Sequence, residues 1–366
     1  MWFALDGKKA EYEYSYNYQN WYPSVEYETN NTMKNVGLYD LTPFSKFEIK
    51  SDKAHQELQR ICTSNIKHEI GKCTYTHMLN LDGGIETDLT IVCIDLNYFR
   101  IISSAATRER DKFHINKHLS ESIELKDVTD DYCVFGVFGP KSRLLMQNLS
   151  NDDFGHENFK FATSKYIEID GIKIWTQRLS YVGELGYELY IKTSNAKKVY
   201  QLIIDKGKKF NLSNCGMHSM DTMRMESGFL DWGHDISPEE NQYQAGLTFT
   251  INYKKKIDFI GKEALQKIKN KKIDRRFAMF TLLDNKPGEP LLLHDEPIYL
   301  DDKIIGRTTS GNYSFNFNKN LAFGYINNDY SNNELIEKKM YIEIEKRKYP
   351  IEVLLKPLKQ TNFKNI

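Results

Sequence analysis

With 366 residues, 40% of them hydrophobic and 13% aromatic, the chain is too long for one ordinary core and suggests two or three domains. Its 50 lysines and arginines balance 50 aspartates and glutamates, so no net field recruits nucleic acid or a membrane surface, and no run of about twenty apolar residues is present to span a bilayer. The five cysteines, Cys62, Cys73, Cys93, Cys133 and Cys215, are odd in number, lack CxxC spacing and sit mostly among apolar residues. Buried free thiols are therefore expected, with no disulfide and no metal site, and with them a reducing, cytoplasmic setting. The start, residues 1–9, carries neither the apolar stretch nor the cleavage site of a signal peptide.

Residues 8–28 are rich in tyrosine and glutamate and read as an extended arm lying on the body, because disordered tails rarely carry so many aromatics. A short helix is expected over 24–36, then strand, turn and strand from Val36 to Ile49. Lys53 to Ile61 has a helical pattern with Ser51 or Asp52 as its N-cap. The stretch from Tyr75 to Leu89 then predicts a hairpin about Asp82-Gly83-Gly84, where glycine supplies the turn. Beyond it Thr87 to Asp95 is a β-branched, largely apolar run that reads as a buried strand. Asp88 stands at its start, a charge beside residues that belong inside.

Tyr98 to Ser104 predicts another strand, Thr107 to Leu119 a helix, Tyr132 to Pro140 a strand closed by Gly-Pro, and Lys141 to Leu149 a helix. Hairpin-type connections between strands and helices indicate an α+β body, not a parallel doubly wound sheet. Neither GxGxxG nor GxxxxGK[ST] occurs, so nothing marks a dinucleotide or nucleoside triphosphate fold. Short strands are expected at Tyr166–Ile169 and Ile172–Thr176. In the following segment, Arg178 to Ile191, alternation sends Tyr187, Leu189 and Ile191 to one face and Glu188 and Tyr190 to the other. A glycine-tight turn there would bring Glu188 beside Tyr181.

Asn195 to Lys208 reads as an amphipathic helix, and Cys215 to Gly228 as a second one stopped by Gly228. In the latter, Met217, Met220, Met223 and Met225 suit core packing, and Asp221 and Arg224 are spaced to pair. Lys262 to Lys272 is a third helix, followed by the basic run Lys269 to Arg276, read as a solvated link. From Phe277 onward, short strands at regular spacing indicate an antiparallel barrel or sandwich of about ninety residues. The domains so read are 1–275 and 276–366.

Several stretches together resemble the glycine-cleavage T-protein (aminomethyltransferase) superfamily: Met78-Leu79-Asn80-Leu81-Asp82-Gly83-Gly84-Ile85-Glu86-Thr87-Asp88-Leu89, Tyr181-Val182-Gly183-Glu184-Leu185-Gly186-Tyr187-Glu188-Leu189, and Asp221 to Gly228. Gly233-His234-Asp235-Ile236, Asp258 to Leu265 and Thr309-Ser310-Gly311 continue the match in order over nearly the whole chain. Asn20-Trp21-Tyr22, Asp40-Leu41-Thr42-Pro43-Phe44, Trp232-Gly233-His234-Asp235 and Gly288-Glu289-Pro290-Leu291-Leu292 are similar to the C-terminal tetrahydrofolate domain of dimethylglycine and sarcosine dehydrogenases. Those enzymes carry an N-terminal flavin domain, for which this chain has no glycine-rich motif. The resemblance implies a two-lobed folate-binding body followed by a small C-terminal antiparallel β-barrel.

It also implies chemistry for particular residues. A pterin presents a ring N–H and an exocyclic NH2 side by side, and a carboxylate accepts both at once; that role falls to Glu188. Tyr181 and Tyr75 match positions lining the folate pocket. The catalytic carboxylate maps to Asp88, which would orient the folate, stabilise a transient cation and take a proton from the folate amine. Arg224 is either a folate contact or the structural partner of Asp221, and His234 and Asp235 form a structural turn or entrance. Met220 stands where the glycine-cleavage enzymes have a folate-contacting arginine, and Ser104 where they have an asparagine. The first departure is shared by the dehydrogenase branch.

The function expected is tetrahydrofolate-dependent transfer of a methylene or aminomethyl unit from an N-methylated amine or amino acid, forming 5,10-methylenetetrahydrofolate. The implied partners are folate, the one-carbon donor, and either a separate flavin dehydrogenase subunit or a lipoyl carrier protein. The alternatives are the aminomethyltransferase of glycine cleavage and a non-catalytic folate-binding protein. Relatives of the latter kind carry a KGCYxGQE-type motif, and this chain has Trp232-Gly233-His234-Asp235-Ile236 in the comparable region.

Overall fold

Side-chain alternation sorts the strands into two facing sheets and a separate barrel. In the computed structural model, which describes residues 1–15, 18–283, 286–360 and 363–366, the body runs α1 (Tyr22–Lys34), β1 (Val36–Asp40), β2 (Ser45–Lys50), α2 (Ala54–Ile61), β3 (Cys73–Leu79), β4 (Ile85–Asp95), β5 (Tyr98–Ser103), α3 (Arg108–His118), β6 (Leu125–Asp127), β7 (Tyr132–Phe138) and α4 (Ser142–Leu149). It continues with β8 (Ser164–Ile169), β9 (Ile172–Gln177), β10 (Gly186–Lys192), α5 (Ala196–Gly207), β11 (Leu212–Cys215), α6 (Met217–Glu226) and α7 (Lys262–Lys269). The barrel follows as β12 (Arg275–Leu282), β13 (Pro297–Leu300), β14 (Lys303–Ser314), β15 (Lys319–Asn327), α8 (Asn332–Glu337), β16 (Met340–Ile344) and β17 (Arg347–Leu354).

One sheet has the order β11-β1-β7-β10-β9-β8 and the other β3-β4-β5-β2-β6. All their pairings are antiparallel except β1 with β11. Each sheet buries its outer face against its own helices. Leu89, Ile91, Cys93, Phe99 and Ile101 pack with Leu58 and Ile115 of α2 and α3. Val137, Tyr187, Leu189 and Ile191 pack with Leu145, Val199 and Ile203 of α4 and α5. The inner faces meet in a third layer that joins Cys73, Val92 and Ile94 to Val134, Trp175 and Tyr190.

The six strands β12-β15-β14-β13-β16-β17 close on themselves, which removes the exposed edges an open sheet of that size would present. Met225 of α6 packs on Leu321 and Phe323 and so ties body to barrel. Met220 and Met223 are buried, whereas Met217 faces outward. The basic run differs from its reading as a link: Arg275 and Arg276 lie inside β12, where Arg275 pairs with Glu240 and Arg276 donates to Asn332 and Tyr330. Strand alternation with Phe277 and Met279 outweighs charge at these two positions.

The described part of the N-terminal arm lies on the body. Tyr12 meets His218 at 3.1 Å, and Trp21 stacks on the same imidazole with centroids 5.5 Å apart; positions 16 and 17 fall outside the described residues. The described cysteines are all free, and all but the half-buried Cys133 are buried. No described helix is long and apolar enough to cross a membrane.

Candidate functional site

Strand period decides what faces the inter-sheet layer. Along β4, Leu89, Ile91 and Cys93 enter the outer core, so Asp88, Thr90, Val92 and Ile94 face inward. On β3 the register sets Cys73 opposite Val92, Tyr75 opposite Thr90 and His77 opposite Asp88. From the other sheet β10 turns Glu188 and Tyr190 inward, with Glu188 flanked by Gly136 and Gln177 and Tyr190 by Val134 and Trp175. Burial is the main cause of the raised Cys73 thiol pKa, and Glu188 is close enough to add to it. Cys73, Tyr75 and His77 span about 13 Å of strand, so Glu188 stands at one end of this strip, Asp88 at the other, and Tyr75 between.

The hairpin that carries Asp88 is anchored from outside. A Cβ on Gly84 would lie 1.9 Å from the carbonyl oxygen of Pro238, so only glycine permits that approach. Ile85 N–H donates to Glu240, and Trp232 Nε1 donates to the Ile85 carbonyl at 3.1 Å. Arg110 of α3 grips the bulged residue Glu86 at both its carbonyl and its carboxylate and lies over the Trp232 ring at 4.7 Å.

These groups are touched by solvent yet enclosed by protein. Tyr75 is 40% exposed, and Asp88, Tyr181 and Glu188 are half-buried, but desolvation is the first cause raising the pKa of all four. Strongly perturbed ionisable groups that solvent still reaches mark a candidate functional site. Burial, with Asp231 and Asp111 adding repulsion, pushes Asp88 up to about 7 against the hydrogen bond from Tyr75. Burial likewise pushes Glu188 up to about 7, opposed by Tyr190 O–H donating at 3.1 Å.

Tyr75 donates to Asp88 at 3.1 Å, and its ring stacks on exposed Phe249, centroids 6.5 Å apart. Tyr181 donates to the Leu230 carbonyl at 2.9 Å, stacks on Phe229, and lies within electrostatic reach of Asp88 and Arg224. The Arg224 guanidinium is held by Asp221 at 2.7 Å, Asp235 at 2.5 Å, the Phe229 carbonyl and Ser310 of the barrel. Asp235 is buried and also accepts from Thr309 and Ser310; exposed His234 pairs with Asp231 at 3.1 Å.

Three participants escaped the reading of the sequence. His77 is fully buried behind Tyr75, Phe249 covers the outer side of Tyr75, and Gln177, fully buried beside Glu188, has no hydrogen-bond partner among the described residues for either its amide nitrogen or its oxygen. Counting register from the turn could have found His77 only with knowledge of the bulge between Met78 and Leu79. A buried amide without a partner beside a half-buried carboxylate is costly and suits a flat ligand with both donors and acceptors on its edge. Glu188 with its neighbours therefore fits a pterin.

Among known proteins, the GCVT N-terminal domain model matches residues 3–255 and the glycine cleavage T-protein C-terminal barrel domain model matches residues 275–359. Mitochondrial dimethylglycine dehydrogenase of Rattus norvegicus is 32% identical over 98% of this chain, which spans only 41% of that relative's length. An aminomethyltransferase of Halothermothrix orenii is 30% identical over 84% of this chain and 85% of its own. The crystal structure of glycine cleavage system aminomethyltransferase T from Bartonella henselae superposes with a TM-score of 0.83 at 19% identity, covering 96% of this chain and 94% of that one, and so shares the fold.

Proposed function

The chain belongs to the glycine-cleavage T-protein family, and from that premise we propose that it transfers a methylene or aminomethyl unit from an N-methylated amine or amino acid to tetrahydrofolate, the cofactor of this family, forming 5,10-methylenetetrahydrofolate. The observation that carries this reading is the pair of enclosed carboxylates, Glu188 and Asp88, each with its pKa raised to about 7, at opposite ends of one inter-sheet strip. Tetrahydrofolate, when bound, supplies the amine that accepts the one-carbon unit.

Glu188 would accept both parallel pterin donors, a charge-assisted pair that repays its desolvation. Tyr75 and Tyr181, both within electrostatic reach of Asp88, offer ring faces toward the Asp88 end of the strip. Asp88 would hold the reacting amine and take its proton, a task suited to a carboxyl whose pKa lies near neutrality. Arg224 acts on the site from behind Tyr181, through its charge and through the joint to the barrel. A flavin dehydrogenase would generate the one-carbon donor, a role supported by likeness to the rat dehydrogenase. Aminomethyl transfer from a lipoylated carrier protein is the second reading, favoured by the match to the H. orenii aminomethyltransferase over most of both chains.

Anaerobic calorimetry of tetrahydrofolate binding to the wild type and Glu188→Ala tests the site. Micromolar binding that disappears in the variant is expected; no binding by the wild type would overturn the reading. Turnover with formaldehyde or with an aminomethylated lipoyl carrier then separates the two donors.

A further inference from the structure

Asp88 belongs to a longer hydrogen-bonded chain. The Tyr75 hydroxyl lies 3.1 Å from Asp88 Oδ2 and 3.3 Å from His77 Nε2, and its single proton can serve only one of them. On the far side, His77 Nδ1 lies 2.9 Å from Thr250 Oγ1, and the Thr250 hydroxyl donates to the Leu247 carbonyl at the shorter distance of 2.7 Å. With that proton committed, Thr250 accepts from His77 Nδ1–H. A neutral imidazole with its proton on Nδ1 has a bare lone pair on Nε2, and this lone pair faces Tyr75. Burial keeps His77 neutral by lowering its pKa to about 3.

We propose that the Tyr75 hydroxyl is a two-way switch for Asp88, with Nε2 of His77 as its alternative acceptor. When Asp88 is ionised, Tyr75 donates to it. When Asp88 takes up a proton, its new O–H donates to the Tyr75 oxygen and the tyrosine proton turns to His77. One proton binds Asp88 in the first direction and one leaves it in the reverse; Tyr75 and His77 keep theirs, and only a hydroxyl rotates. Asp88 thus stays hydrogen-bonded in both charge states without moving a side chain, which limits the reorganisation that accompanies each transfer. His77 is a positioning residue in this scheme.

The other groups around Asp88 come from different elements. Asp111 on α3 and Asp231 after α6 both raise its pKa. Tyr181, itself near Arg224, closes another side, and Arg110 is occupied by Glu86. None of these offers Tyr75 a second acceptor among the described hydrogen bonds.

The inference deepens the proposed role of Asp88, and its test needs no folate. Nitrogen NMR of the imidazoles in the full chain should find His77 Nε2 unprotonated. Carbon NMR titration of side-chain carboxylates, with Asp88 assigned through Asp88→Asn, then follows two variants. Tyr75→Phe removes the donor to the ionised form and should raise the Asp88 pKa. His77→Phe removes the acceptor that completes the protonated form and should lower it, by about one pH unit for one lost hydrogen bond. In the Tyr75→Phe background His77→Phe should add nothing, and His77→Gln, which returns an acceptor oxygen, should restore the wild-type titration. A protonated Nε2, measured on the wild type, would overturn the switch even where a His77 variant fails to fold. So would shifts of the same sign in both single variants. Failure of the wild type to bind tetrahydrofolate would instead sink the proposed function.

Discussion

Replacing Glu188 by glutamine should strengthen the empty protein and weaken its ligand binding. Glu188 has an ordinary carboxyl value of 4.5, raised to about 7 by burial. A group whose pKa is higher folded than unfolded binds more protons when folded, so stability declines as pH climbs from about 4.5 to about 7 and stays lowered above that. The full displacement corresponds to roughly 3.5 kcal/mol at 1.4 kcal/mol per pH unit; since solvent reaches the side chain, about 1–2 kcal/mol is the realistic gain on removing the charge. Glu188→Gln should therefore resist urea better than the wild type at pH 8, and the advantage should vanish by pH 4.5. The amide can accept from only one of two parallel donors and confronts the other with its own N–H. Tetrahydrofolate affinity should then fall by about 2–4 kcal/mol, or roughly 30- to 1,000-fold. Urea titrations at the two pH values and anaerobic calorimetry read the two effects. A variant less stable at pH 8, or one that binds undiminished, would refute the argument by making Glu188 a structural partner rather than a carboxylate reserved for a ligand.

Asp88→Asn should cost turnover about 100- to 1,000-fold while the tetrahydrofolate Kd changes little, and calorimetry beside single-turnover kinetics would expose the reverse pattern. The proposed role of Asp88 as a base, with a pKa raised to about 7, requires kcat/KM to fall as pH drops below about 7 and to level off above it; a profile flat from pH 5 to 8 would exclude that role. Arg224→Lys leaves Asp235 without its bidentate-capable partner in a buried joint and should destabilise the chain by about 3–5 kcal/mol, seen as a lower thermal midpoint. If stability is unchanged and folate affinity drops instead, Arg224 touches the ligand.

Much of the architecture was legible because it is local. The alternation at Tyr187–Ile191, the β-branched apolar run Thr87–Asp95, the helices at Lys141–Leu149 and Asn195–Lys208, and the Asp82-Gly83-Gly84 turn each declare themselves within about ten residues, and the T-protein resemblance ordered them into one body. The pairing of Asp221 with Arg224 followed from helical spacing and is present at 2.7 Å. The two basic residues inside β12 were misread because their charges dominate a short window, whereas their places are decided by pairing with β15.

What sequence alone determined is therefore the set of elements and the carboxylates they carry. What only the tertiary structure decided is which way those carboxylates look. In an uninterrupted hairpin starting from the Leu79–Ile85 pair, Asp88 would fall opposite Thr76 and point into the outer core. The bulge at Glu86 shifts the register so that Asp88 faces His77 and shares the inner face with Tyr75. Arg110, on a helix two elements later, holds that bulge by its carbonyl and its carboxylate. A strand repeats every two residues, so a single inserted residue turns every later side chain over, and the contact that stabilises the insertion is too distant in sequence for local alternation to contain it.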